Sequence, residues 1–224
     1  MSMIDPAAAI EITGYRWVPP FAQGFVRDLR PRWACEVAGL PYRERLIDVQ
    51  DKPAGFGEEQ PWSQVPVMRD GALRIWESGA TLMHLGEKSE TLLPRDGQAR
   101  ANALSWLFSA FNTIEPLMFE FTNVTALARG EEWAKLRRPS LDEFIRKRLA
   151  PLEQRLSAQE WLDEGFTVAD IAMVTVLRAM GGSQLLAEHA AVAAYVARGE
   201  ARPDFRQAMA DQLAAFERHP DNTD

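Results

Sequence analysis

The sequence is poor in the residues that build covalent or metal frameworks. Cys35 is the single cysteine, and the three histidines stand far apart, at 84, 189 and 219. An intrachain disulfide is thereby excluded, and a zinc cluster is argued against, because structural zinc takes four grouped Cys or His ligands. A reducing, cytoplasmic setting fits that cysteine usage. No long basic run occurs, and the net charge of −7 is spread along the chain. Phosphate binding needs a concentrated positive face, so nucleic acid is not expected as a partner. Long apolar runs are missing too, and none approaches the ~20 residues that span a bilayer, so no membrane partner is expected. The opening MSMIDPAAAI has neither the basic region nor the apolar core of a signal peptide, and none is expected.

What is present is ordinary globular material. The 224 residues are 46% hydrophobic and 25% charged, enough for one large domain or two small ones with cores of their own. The first ninety residues alternate short strand-like and helix-like segments. IEITGYRW (10–17) has β-branched and aromatic content and stops at Pro19-Pro20. RDLRPRWACEVA (27–38) reads as a helix, with Leu29, Trp33 and Val37 four apart, Pro31 near the first turn and Gly39 as the stop. YRERLIDV (42–49) resembles a second strand, and an irregular stretch rich in Pro, Gly and acids follows it. QVPVMRDGALRIWESGA (64–80) then reads as strand, tight turn at Asp70-Gly71 and strand, running into a helix from Ser78 to about Lys88. Two strands joined through a helix are expected to be parallel and the hairpin pair antiparallel, giving a mixed four-stranded sheet.

After Leu92-Leu93-Pro94 strand signals vanish. Residues 97–115 carry Leu104, Leu107, Phe108, Phe111 and Ile114 at helical steps, with Pro116 forcing a kink or break. A second apolar stripe covers 141–156 and is interrupted by Pro151. VADIAMVTVLRAM (168–180) is apolar nearly all round, the mark of a helix buried in a bundle. Two more helical segments are expected at about 187–199 and 203–216. Thr167 and Asp170 have the spacing of a reciprocal N-terminal cap, with Phe166 and Ile171 placed as a hydrophobic staple. The fold class is thus α+β, with a mixed-sheet domain over 9–89 and an all-helical domain over 95–218.

That order of elements, with Val65-Pro66 before the third strand, Glu77-Ser78 after the fourth and GFTVADIAMVTVL in the helical half, resembles the cytosolic glutathione transferases. PYRERLID after AGL and ARPDF near the end add to the resemblance, which runs from about Glu11 to Phe216. It implies a thioredoxin-like first domain, a helical second domain and a homodimer. It also implies a cis proline at Pro66, which leaves the main chain of Val65 to the cysteinyl unit of glutathione as though a strand were being added. The resemblance further implies that Gln64 donates to the same peptide, that Ser78, at a helix start, takes the γ-glutamyl carboxylate, and that Glu77 takes the α-amino group. A plain edge-strand proline at 66 and a plain helix cap at Ser78 are the structural alternatives.

By the same resemblance, transferases of this type activate the glutathione thiol with a Tyr, Ser or Cys near the end of the first strand or the start of the first helix. Here that stretch is VPPFAQGFVRDLR and contains none of them. Cys35 falls too deep in the helix and reads as a buried structural cysteine. Arg27, at the helix opening, and Tyr15, near the end of the first strand, are the candidates that remain; a guanidinium lowers a neighbouring thiol's pKa by direct attraction. An apolar electrophile pocket is expected to involve Phe21, Trp106 and Phe111, with Phe119 as a further candidate and Trp62 as a cover for the tripeptide or a dimer seam. The leading expectation is conjugation of glutathione, as co-substrate, to a small hydrophobic electrophile, without metal or organic cofactor. The alternative is a glutathione-binding module that has lost the chemistry. Disulfide reduction through a cysteine of the chain is disfavoured, since no cysteine stands at the first helix start.

Overall fold

The structure is a computed structural model and describes residues 2–219. Four strands form one mixed sheet: β1 (Ile10–Tyr15), β2 (Tyr42–Ile47), β3 (Val67–Asp70) and β4 (Leu73–Trp76), in the order β2-β1-β3-β4. β1 and β2 run parallel, from Ile10 opposite Tyr42 to Tyr15 opposite Ile47, and α1 (Leu29–Ala38) carries the crossover. β3 is antiparallel to β1 and to β4. Both leading strands end sooner than their β-branched content suggests, although the Arg16 amide still donates to the Ile47 carbonyl at 2.8 Å.

The hairpin is shifted by one residue from the sequence reading. Asp70 pairs with Leu73, so the turn is Gly71-Ala72, with Gly71 at φ 59°. Asp70 is therefore the last strand residue, and its carboxylate sits 2.7 Å from both His84 Nε2 and Lys88 Nζ. His84 lies on α3 (Ser78–Glu87) and Lys88 just past its end, so these contacts fasten the helix to the sheet. The irregular stretch before the hairpin contains a single helical turn, α2 (Phe56–Glu59). Its Phe56 joins Ile47, Val65 and Val67 in an apolar cluster flanked by Tyr15 and Val26.

Helices make up the chain from Leu93 to Ala201. They are α4 (Gly97–Ser109), α5 (Glu115–Thr122), α6 (Glu132–Leu156), α7 (Val168–Leu177), the short α8 (Gln184–Ala187) and α9 (Ala190–Ala201). Pro116 breaks nothing. A wider π-helical turn, Ala110–Ile114, links α4 to α5, and Pro116 falls in the first turn of α5, where a missing N–H is least costly. α6 begins at Glu132 rather than Leu141 and carries both Pro139 and Pro151 inside it. The segment expected at 187–199 is divided between α8 and α9. α7 is buried almost throughout. At its start the Thr167 hydroxyl accepts from the Ala169 amide at 3.2 Å, and the Asp170 carboxylate accepts from the Thr167 amide at 2.9 Å. Asp170 also accepts from the Leu162 amide at 3.0 Å and from the Tyr195 hydroxyl at 2.9 Å. Burial pushes its carboxyl up to about 6 against those hydrogen bonds.

The last helix, α10 (Pro203–Glu217), packs on α1. Trp33 is the centre of that contact: its indole N–H donates to Asp204 at 2.7 Å, and its ring meets Phe205 edge-on at 4.9 Å. Gln212 donates to Asp28 at 2.7 Å, and the Tyr42 hydroxyl contacts Asp211 at 3.3 Å. Two compact units result, one formed by the chain up to Leu92 with the segment from Arg202 onward, the other by Leu93–Ala201. The sequence division at 95–218 places α10 with the second segment; by its packing it groups with the first. Among the described residues no helix is long and apolar enough to cross a membrane.

Candidate functional site

α1 is unusual in burying charge as well as apolar side chains. Asp28, just before it, is fully buried beside Arg32, with Oδ2 2.8 Å from the Arg32 Nε; Arg32 reaches Glu44 at 2.7 Å with a second nitrogen. Gly14 on β1 makes room for this pair. A Cβ there would lie 2.6 Å from the Asp28 carboxylate, so only glycine lets the strand pass so close. Arg30, one helical step away, is 4% exposed, and its Nη1 donates to the Ser78 hydroxyl at 2.9 Å.

Ser78 is the first residue of α3 and is itself buried. The amides of a helix's first turn have no acceptor within the helix, and together with the helix dipole they favour an anion. Glu77, immediately before, is exposed and holds φ 72°, ψ 122°. A non-glycine residue in that region costs on the order of 1–3 kcal/mol and marks places where structure over-determines the chain. The conformation turns the chain from β4 into α3. Replacing Glu77 by Gly is accordingly expected to leave the fold about 1 kcal/mol more stable in urea unfolding, the relief of strain exceeding the entropic cost of glycine. The same variant is expected to bind an amine-bearing peptide ligand about tenfold more weakly, read by calorimetry.

The Val65-Pro66 bond is cis, and both residues are buried. Arg27 is half-buried, and its Nη1 lies 3.3 Å from the Gln64 side-chain oxygen, so the helix opening and the segment before Val65 meet. Tyr15 closes the same corner from the end of β1. Burial raises its phenol above the ordinary value, the nearby Asp28 carboxylate raises it further, and the Val65 amide directed at it draws it partly back. At neutral pH Tyr15 is therefore a protonated hydrogen-bond donor. Cys35 is wholly buried, and burial first, then Glu36, pushes its thiol far up, which leaves it unreactive.

The first unit thus gathers Tyr15, Arg27, Gln64, Val65 and Pro66 at one corner and Glu77 with Ser78 at the start of α3. The aromatic candidates are divided between the two units. Phe21 lies in a short 3₁₀ turn of the first unit and is 74% exposed. Trp106 belongs to the second unit, where it lines a cavity of about 430 Å³ with Pro151, Gln154 and Arg155; the Arg155 guanidinium covers the indole at 5.2 Å. Phe111 sits half-buried in the π-helical turn. Phe119 and Trp62 are both exposed. Arg30 is the residue the sequence reading passed over.

Residues 22–87 match the glutathione S-transferase N-terminal domain. Relatives agree along much of the chain's length. Disulfide-bond oxidoreductase YghU of Escherichia coli (strain K12) is 37% identical over 82 residues, which cover 34% of this chain and 28% of that protein. Disulfide-bond oxidoreductase YfcG of the same organism is 27% identical over 187 residues, 78% of this chain and 86% of that one. A glutathione transferase from Burkholderia graminis, solved with two glutathione molecules bound per subunit, superposes with a TM-score of 0.78 at 25% identity, covering 91% of this chain and 90% of its own. The glutathione S-transferase fold accounts for the mixed four-stranded first domain followed by helices.

Proposed function

We propose that this chain binds glutathione in its first unit and conjugates the thiolate to a small hydrophobic electrophile. The Glu77–Ser78 corner carries the reading: an acid held at positive φ stands directly beside a buried hydroxyl and free helix amides. A γ-glutamyl group bears an ammonium and a carboxylate on one carbon, and the two charges match that pair. The Val65 carbonyl takes the cysteinyl unit, its amide being directed at Tyr15, with Gln64 beside it and Pro66 shaping the bend. This brings the thiol to Arg27, whose guanidinium is always charged, and to the Tyr15 hydroxyl as a second donor. Attack then requires orientation and a lowered thiol pKa, both supplied by side chains. The homodimer implied by the family resemblance belongs to the same proposal.

The relatives named as disulfide-bond oxidoreductases favour a second reading of the same site. With Cys35 buried, both thiols have to come from glutathione. One thiolate attacks a substrate disulfide, breaking its S–S bond and releasing a thiolate that takes a proton. A second glutathione thiolate then attacks the mixed disulfide, giving glutathione disulfide and the second reduced thiol.

Retention on immobilised glutathione, followed by titration of the ultraviolet thiolate band in the complex, tests the shared part. Binding with a depressed thiol pKa supports an enzyme, and binding with an unshifted pKa leaves a non-catalytic module. Initial rates on an activated aromatic halide and on a small dialkyl disulfide then separate conjugation from reduction. No retention would overturn both readings.

A further inference from the structure

We propose that Arg30 is a positioning residue that fixes Ser78 as a hydrogen-bond donor and makes this corner selective for a carboxylate. The inference deepens the glutathione reading and rests on it: the group selected is the α-carboxylate of the γ-glutamyl unit. A guanidinium has only donors, so in the 2.9 Å contact the Ser78 oxygen accepts and Arg30 donates. A serine hydroxyl carries one hydrogen, and with its oxygen committed to Arg30 that hydrogen points elsewhere. Nor is the Ser78 carbonyl idle, since it accepts from the Thr81 hydroxyl at 2.7 Å. The residue is thus clamped on two sides, with one O–H and the first-turn amides left to face a ligand. Arg30 and Ser78 are each only 4% exposed. In such surroundings the positive charge acts through a low dielectric and strengthens the polarised hydroxyl behind which it stands. A hydroxyl and first-turn amides backed by a buried cation suit a carboxylate; an uncharged group at the same place gains little from the cation. Glu77 then takes the ammonium, so the corner reads the orientation of the zwitterion.

The test compares glutathione with 4-aminobutanoyl-cysteinylglycine, which keeps the amine and lacks only the α-carboxylate. Calorimetric affinities for both are measured on the full chain, on Arg30→Gln and on Arg30→Lys, with circular dichroism confirming the fold. The wild-type chain is expected to prefer glutathione by about tenfold or more, the scale of a hydrogen bond to a charged group. Arg30→Gln is expected to lower glutathione affinity by a similar factor while leaving the analogue within about twofold, so that the preference collapses. Arg30→Lys, which keeps the charge without the planar fork, is expected to retain part of it. In a Ser78→Ala background, Arg30→Gln is expected to add little further loss, because Arg30 acts through that hydroxyl. A preference unchanged in both Arg30 variants, or equal losses for the two ligands, overturns the assignment while the glutathione reading stands. A wild-type chain that binds neither ligand overturns that reading and the assignment with it.

Discussion

Replacing Asp170 by alanine is expected to destabilise the protein by about 3–5 kcal/mol, enough to unfold a marginal domain. The carboxylate holds the Leu162 and Thr167 amides and the Tyr195 hydroxyl, all of them buried, at 2.9 to 3.0 Å. Truncation leaves three donors without an acceptor, each costing about 1–3 kcal/mol where water cannot reach. Because Asp170 lies far along the chain from the proposed glutathione site, the surviving folded fraction is expected to bind glutathione with unchanged affinity. Urea midpoints and calorimetry on the same sample separate the two effects. A stable Asp170→Ala protein that fails to bind would contradict this assignment.

The same residue gives a pH dependence of definite sign. Its carboxyl lies near 6 in the folded chain against an ordinary 3.8. Between those values the folded state holds the proton that the unfolded state has released, so stability falls as pH rises. The contribution is full below about 4 and has been lost above about 6, a span worth about 3 kcal/mol. Asp170→Asn, which cannot titrate, is expected to flatten stability between pH 4 and 6. A slope in the variant equal to that of the wild type would show that another group is responsible.

The second large effect is expected at the thiol. In the complex, Arg27→Ala is expected to raise the glutathione thiol pKa by about 1–3 units, the shift an opposite charge within ~4–6 Å produces. The measurement is the pH titration of the thiolate absorbance. At neutral pH the thiolate fraction, and the conjugation rate that follows it, falls by about 10-fold or more. Gln64 bears on the outcome, since its oxygen lies 3.3 Å from the guanidinium and orients it toward the Val65 segment. Tyr15→Phe is the companion variant. A pKa that moves with Tyr15→Phe and stays still with Arg27→Ala would transfer the role to the phenol.

Much of the first unit was legible because its signals are local. β-branched and aromatic content marks β1, the turn residues mark the hairpin, and Glu77-Ser78 announces a helix start. The register of that hairpin was not legible: Asp70 is drawn into the strand by His84 and Lys88, partners fourteen and eighteen residues away. Periodicity also hid Arg30 and Arg32, since a charged residue on a helix face is ordinarily solvated, and their burial depends on Ser78, Asp28 and Glu44. The contact of α10 with α1 joins Trp33 to Asp204 across most of the chain, a pairing no local pattern reveals. In the second unit Pro116 and Pro151 look like interruptions, and Pro139 also lies inside α6. A π-helical turn absorbs the first, and the other two lie within a helix long enough to tolerate them.

Calorimetric titration of glutathione into the wild-type chain and into Glu77→Gln/Ser78→Ala tests most directly whether the Glu77–Ser78 corner holds a zwitterion. Saturable heat from the wild type, and its loss in a double variant of unchanged urea midpoint, is the predicted result. No saturable heat from the wild type, or the same affinity in both proteins, would contradict it.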